Sequence, residues 1–172
     1  MGGARSQARR YAVLALYQWQ MTGQDPAEIG RQFFDDPSFV DEVAGSLADR
    51  GDENLPPGAP VIAYDRALFE LLLQGVPARL ADLDARLQTA LDRPLLRVDP
   101  VERAILRVGT YELLYCPQVP VRAIINEAVD LAKLLGAEQG HRFVNGVLDR
   151  LARAVRAAEL AAGAAGRKSP PS

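Results

Sequence analysis

The chain has 172 residues, of which 48% are hydrophobic and 24% charged, the balance of a globular protein rather than a disordered or membrane one. No apolar run approaches the roughly 20 residues of a bilayer span, and charges interrupt the N-terminus where a secretion signal would be apolar, so a cytoplasmic protein with no membrane partner is expected. The net charge of −2 hides an asymmetry: residues 1–24 carry Arg5, Arg9 and Arg10 with no acid, residues 140–168 carry six bases against Asp149 and Glu159, and the remainder sums to −9.

Taken in order, Val13, Leu16, Tyr17 and Met21 follow helical spacing from Arg5 to Met21, and Gly23 ends that run. Asp25 before Pro26 supplies an N-cap and a pre-set first turn for a shorter helix to about Phe34. Residues 39–47 could add another helical turn or two. The stretch 49–60, rich in Pro, Gly and acids, reads as a surface loop. Residues 61–92 read as a helical hairpin jointed at Pro77, with Leu68, Leu71, Leu72 and Val76 before it and Leu80, Leu83, Leu87 and Leu91 after it. Asp99-Pro100-Val101-Glu102 combines an acidic N-cap, a proline at the first helical position and an acid three residues after the cap. The apolar surface of the helix it starts is too wide for a solvent-facing element, so this helix is expected at the centre. Pro120 opens the next helix, Gly136 stops it, and a last helix starts near Glu138.

No segment alternates like a half-buried strand, which makes the fold class all-α with about seven helices. One helical domain is expected over 1–156, and a disordered tail over 157–172. Cys116 excludes an intramolecular disulfide and cannot alone form a thiolate cage, so it reads as a small buried hydrophobe. The only histidine, His141, has no nucleophile at a suggestive spacing, and no phosphate-binding glycine loop is present. No catalytic residue, cofactor or metal site is therefore expected, and the chain reads as a binding protein, not an enzyme.

Binding chemistry concentrates at the two basic ends. In the last helix Val144, Val147, Leu148, Leu151 and Val155 share one side, with Arg142, Arg153 and Arg156 opposite. Phe143 lies on the border, where it either joins the core or stacks on an unpaired base beside Arg142. At the other end, three arginines open the first helix, an unfavourable place for cations beside the positive helix terminus.

The segments RRYAVLALYQWQMTGQD at 9–25 and VDPVERAILRVGTYELLYCPQVPVRAIINEAVDLAKLLGAEQGHRFVNGVLDRLA at 98–152, with the hairpin between them, resemble the NusB family of transcription antitermination factors. The resemblance covers about residues 5–156. It implies two small helical bundles, pairing with the small ribosomal subunit protein NusE, binding of boxA RNA in ribosomal RNA operon transcripts, and entry into an RNA polymerase antitermination complex. Carried over by position, it implies RNA contacts at Arg5, Arg9, Arg10, Gln139, Arg142 and Phe143, and partner contacts at Tyr17 and Glu102. Glu102 could equally complete a capping box, and Tyr17 could be core. Ser6 and Gln7 stand where many relatives carry arginine, and Gln139 stands where aspartate is frequent, changes that push RNA affinity in opposite directions. An accessory module in ribosomal RNA processing or methylation is the alternative function, and a homodimer is a third state to separate from a monomer.

Overall fold

The computed structural model describes residues 3–36, 64–136 and 139–166, with side chains described through residue 161. The sequence readings for 39–47, 49–60 and 167–172 lie outside the described residues.

Helix α1, Ala4–Thr22, ends at Gly23, whose φ of 70° is the left-handed conformation that closes a helix without a Cβ penalty. Helix α2, Pro26–Asp35, opens as its sequence implies: the Asp25 side chain accepts from the Ala27 N–H, and Pro26 takes the first turn. Helix α3, Arg66–Ala78, is capped by Asp65, which accepts from the Leu68 N–H. It carries Pro77 inside its last turn, and Arg79 separates it from α4, Leu80–Ala90. The joint of the hairpin therefore falls at Arg79, two residues after the proline that the sequence marked.

A single 3-10 turn, Leu95–Arg97, leads into α5, Pro100–Tyr115. Asp99 accepts from the N–H groups of Val101 and Glu102 at 2.9 and 3.3 Å, the capping that its sequence position implies. Twelve of the sixteen residues of α5 are buried, so it is the central helix. Around it stand α6, Val121–Leu135, and α7, Gly140–Val155. A final helix, α8, spans Ala157–Gly166. No strand occurs among the described residues, in keeping with the all-α class.

Two helix groups share α5. On one side α1 packs against α2, α3 and α5; on the other α4, α6 and α7 pack against α5, and α6 against α7. The aromatic residues gather in the first group, where Tyr11 meets Tyr64 edge-on at 4.9 Å and Phe33 meets Phe69 at 5.7 Å. The second group is aliphatic, built on Leu83, Leu87, Ile105, Ile124, Leu148 and Leu151. Cys116 is buried as expected, and burial, followed by the charge of Glu112, pushes its thiol pKa up, away from the reactive thiolate form.

The tail departs from the sequence expectation at its start. Ala157 does not begin to fray: it begins α8, and Glu159 binds back onto the bundle. Its carboxylate accepts from the Val121 N–H at 2.9 Å and from Arg156 at 2.5 Å. A charged side chain reaching a free helix-starting N–H supplies the order that composition alone does not reveal.

Candidate nucleic-acid interface

The first turn of α1 contains no acid, and Gly3 offers no side-chain cap, so the cations there have no local compensation. Compensation comes from other helices. Arg9 is 5% exposed, and its Nε and Nη2 donate to the two carboxylate oxygens of Glu112 on α5 at 2.7 and 2.9 Å. Glu127 on α6 lies 3.8 Å from Arg9 Nη1 and accepts from Ser6 Oγ at 2.6 Å. Burial by itself would lower the Arg9 pKa; the Glu112 hydrogen bonds and charge overcome it and hold the guanidinium above its ordinary value. This side chain pins α1 to the central helix and is largely turned from solvent. Arg5 is exposed. Arg10 is half-buried, and its Nε has no hydrogen-bond partner.

The second set of sequence-implied residues opens α7. Gln139, the residue before the first turn, and Arg142 are exposed, and Phe143 is half-buried against the core. Gln139 and Phe143 stand four residues apart, on one side of the helix. The guanidinium of Arg93, from the connection between α4 and the 3-10 turn, lies 4.7 Å from the Phe143 ring centroid. Residue periodicity did not reveal Arg93, because it sits in no helix.

Beneath this end Glu102 is 8% exposed and turned toward the start of α7: a Cβ on Gly140 would lie 1.9 Å from its Oε1. Glycine admits this approach without moving the carboxylate. Burial, then the nearby Asp99 charge, raises the Glu102 pKa, and Arg93 opposes them. Tyr17 is 9% exposed on α1. The two residues implied for the partner surface are thus both largely enclosed. Glu102 faces α7 as well as standing in the first turn of its own helix.

The basic face read along the last helix also needs revision. Arg153 is exposed and pairs with Asp149 at 3.0 Å. Arg156 instead turns inward, 9% exposed, and uses every donor it has. Its Nε donates to the Leu113 carbonyl, Nη2 to those of Glu112 and Cys116, and Nη1 to Val119 and to Glu159. The Leu113 carbonyl has no amide donor four residues on, because Pro117 lacks an N–H, and Arg156 supplies one; the carbonyls of Glu112 and Cys116 also accept from the Cys116 and Val119 N–H groups and share the same planar cation. The sequence signal that could have found this is the short α5–α6 connection, whose buried carbonyls require a donor.

Arg9 and the α7 start meet α5 at different levels. Glu112 and Glu102 are ten residues apart on α5, about 15 Å of helix rise. Helix α6 lies between, packed on α5 and α7 and touching α1. No group of three or more potential metal-ligating side chains occurs among the described residues.

An all-helical protein wound around one buried helix, with basic residues at the starts of α1 and α7, is the class that the fold and these surfaces define. The NusB family model matches residues 6–153. A transcription antitermination protein NusB of Alkalilimnicola ehrlichii is 52% identical over 162 residues, covering 92% of this chain and 88% of the relative. A protein of the same name from Nitrosococcus oceani is 45% identical, with 93% of each chain covered. Among solved structures, T. maritima NusB aligns with a TM-score of 0.61 at 28% identity over 89% of this chain and 93% of that one. A crystal structure of antitermination factors NusB and NusE in complex with dsRNA aligns with a TM-score of 0.63 at 25% identity, covering 90% of this chain and 99% of the matched chain. The chain belongs to the NusB family of transcription antitermination proteins.

Proposed function

We propose that this protein pairs with NusE and binds boxA-type single-stranded RNA of ribosomal RNA operon transcripts, bringing it to an RNA polymerase antitermination complex as a non-enzymatic cytoplasmic adaptor. The observation that carries this reading is the near-complete match, covering 99% of the aligned chain, to a structure of NusB and NusE with RNA. The surface chemistry supports it: exposed Arg5 and half-buried Arg10 at one helix start, exposed Gln139 and Arg142 with the Phe143 ring at another. Cations attract the phosphate backbone and planar groups stack on unpaired bases. Arg9 serves this interface by holding α1 in place. Glu102 serves the partner side in the same indirect way, setting the approach of α5 and α7. Tyr17, 9% exposed, leaves a narrow contact for NusE.

The test is a binding series with purified protein, with and without NusE, against boxA and scrambled RNA of equal length. Tighter binding to boxA that NusE strengthens is the expected result. Equal affinity for both RNAs at every salt concentration would sink sequence-selective recognition. Light scattering with and without RNA separates a monomer from a homodimer that masks its RNA surface.

A further inference from the structure

Phe143 offers a base less free surface than its sequence position suggests. It packs partly against the core, and the guanidinium of Arg93 stands over its ring at 4.7 Å from the centroid. The connection carrying Arg93 is held at several points. Gln88 Nε2 donates to the Arg93 carbonyl at 2.9 Å, the Leu95 N–H donates to Gln88 Oε1 at 3.0 Å, and Arg150 of α7 donates twice to the Ala90 carbonyl, at 3.2 and 3.1 Å. The backbone on both sides of Arg93 is thereby tied to α4 and α7. Its side chain remains 50% exposed and pairs at 3.0 Å with the neighbouring Asp92, itself 75% exposed. Such an exposed pair holds a cation weakly.

We infer that Arg93 is a further RNA-contacting residue, its guanidinium plane backed by Phe143 and presented as a stacking surface to an unpaired base. The inference rests on the proposed RNA-binding role of the α7 start. An arginine plane can stack on a base and carry charge toward the adjoining phosphate, whereas the aromatic ring behind it limits its orientations and is attracted to it. Arg93 also accounts for how a half-buried ring can take part in RNA binding. The ring supports the contacting group.

The experiment is a double-mutant cycle on the full chain with NusE, titrating boxA RNA into wild type, Arg93→Ala, Phe143→Ala and the double variant, with Arg93→Lys as a fifth protein. Thermal melts of each confirm folding. Arg93→Ala is expected to weaken binding about tenfold, the range of one lost stacking contact. The double variant should lose less than the product of the two single losses, because each single change already breaks the stacked pair. Arg93→Lys keeps the charge without the plane and should recover only part of the affinity. Wild-type affinity in Arg93→Ala alongside a clear loss in Phe143→Ala would overturn the inference and leave the RNA site standing. Multiplicative losses, or full recovery with lysine, would overturn the stacked pair. No RNA binding by the wild type would instead remove the reading on which the inference rests. Where Phe143→Ala fails to fold, Phe143→Leu, which keeps the apolar volume without a ring, takes its place.

Discussion

Arg9 joins α1 to α5 through two bonds to one carboxylate, both side chains almost fully enclosed. Removing one member of such a pair strands the other charge in the interior, a cost of roughly 3–5 kcal/mol. Arg9→Ala should therefore unfold at a markedly lower temperature in calorimetry. Arg9→Lys should lose part of the same stability, because an ammonium cannot reproduce the forked geometry. If Arg9 serves RNA only through structure, Arg9→Lys should leave the salt dependence of RNA binding unchanged. Glu102 makes a pH-dependent prediction. Its folded pKa is raised, so its ionised form is disfavoured in the native state. That cost is absent well below the unfolded carboxylate value of about 4.3, sets in as pH rises through it, and is complete above the folded value. Glu102→Gln should accordingly melt higher than wild type at pH 7, with the difference shrinking toward pH 3. A lower melting temperature at pH 7 would mean that the carboxylate is favoured there after all. At this scale the sequence identified the residue types but not their surroundings. Arg5 and Arg9 share one helix start, yet one is exposed and the other buried, and nothing in their local spacing separates them.

At the level of elements, the legible features were those written in neighbouring residues. The caps at Asp25 and Asp99, the left-handed stop at Gly23 and the breadth of the apolar surface on α5 all follow from local rules, and each falls where its sequence signal puts it. The α5–α6 connection is different. Arg156, from the end of α7, closes the carboxyl end of α5, while Glu159 caps the start of α6. Both residues lie beyond the 6–153 matched by the family model. Arg156→Ala would remove the guanidinium donors from the Leu113 and Val119 carbonyls, while those of Glu112 and Cys116 keep their backbone N–H partners, and should cost about 3 kcal/mol, lowering the melting temperature by roughly 6–12 °C for a chain of this size. Arg156→Lys should restore little of it. Close helix contact supplies another check. A Cβ on Gly75 of α3 would stand 2.5 Å from the buried Tyr111 ring of α5, so Gly75→Ala should destabilise by about 1–3 kcal/mol despite improving helix propensity. An unchanged denaturation midpoint would show that the ring can withdraw.

For the molecule as a whole, charge is sorted by tertiary structure rather than by the order of residues. The acidic middle of the chain contributes Glu112 and Glu127 to the underside of the basic N-terminal helix, where they neutralise Arg9 and leave Arg5 outward. RNA binding should accordingly be governed by a few exposed cations. Arg5→Ala should reduce the magnitude of the slope of log affinity against log salt by about 0.7, the release of one counterion from single-stranded RNA. A slope equal to that of wild type would place Arg5 outside the phosphate path.

By itself the sequence determined the all-helical class, the central position of α5, most helix boundaries and the resemblance to the NusB family. These depend on periodicity, caps and word-like motifs, all readable within a few residues. Only the tertiary structure decided which cations are surface and which are pins. Arg9 finds Glu112 across 103 positions, and Arg156 finds the Leu113 carbonyl across 43. The free energy of a charged group depends on the dielectric and the partners around it. Those are set by which helices pack together, a property that no single helix contains.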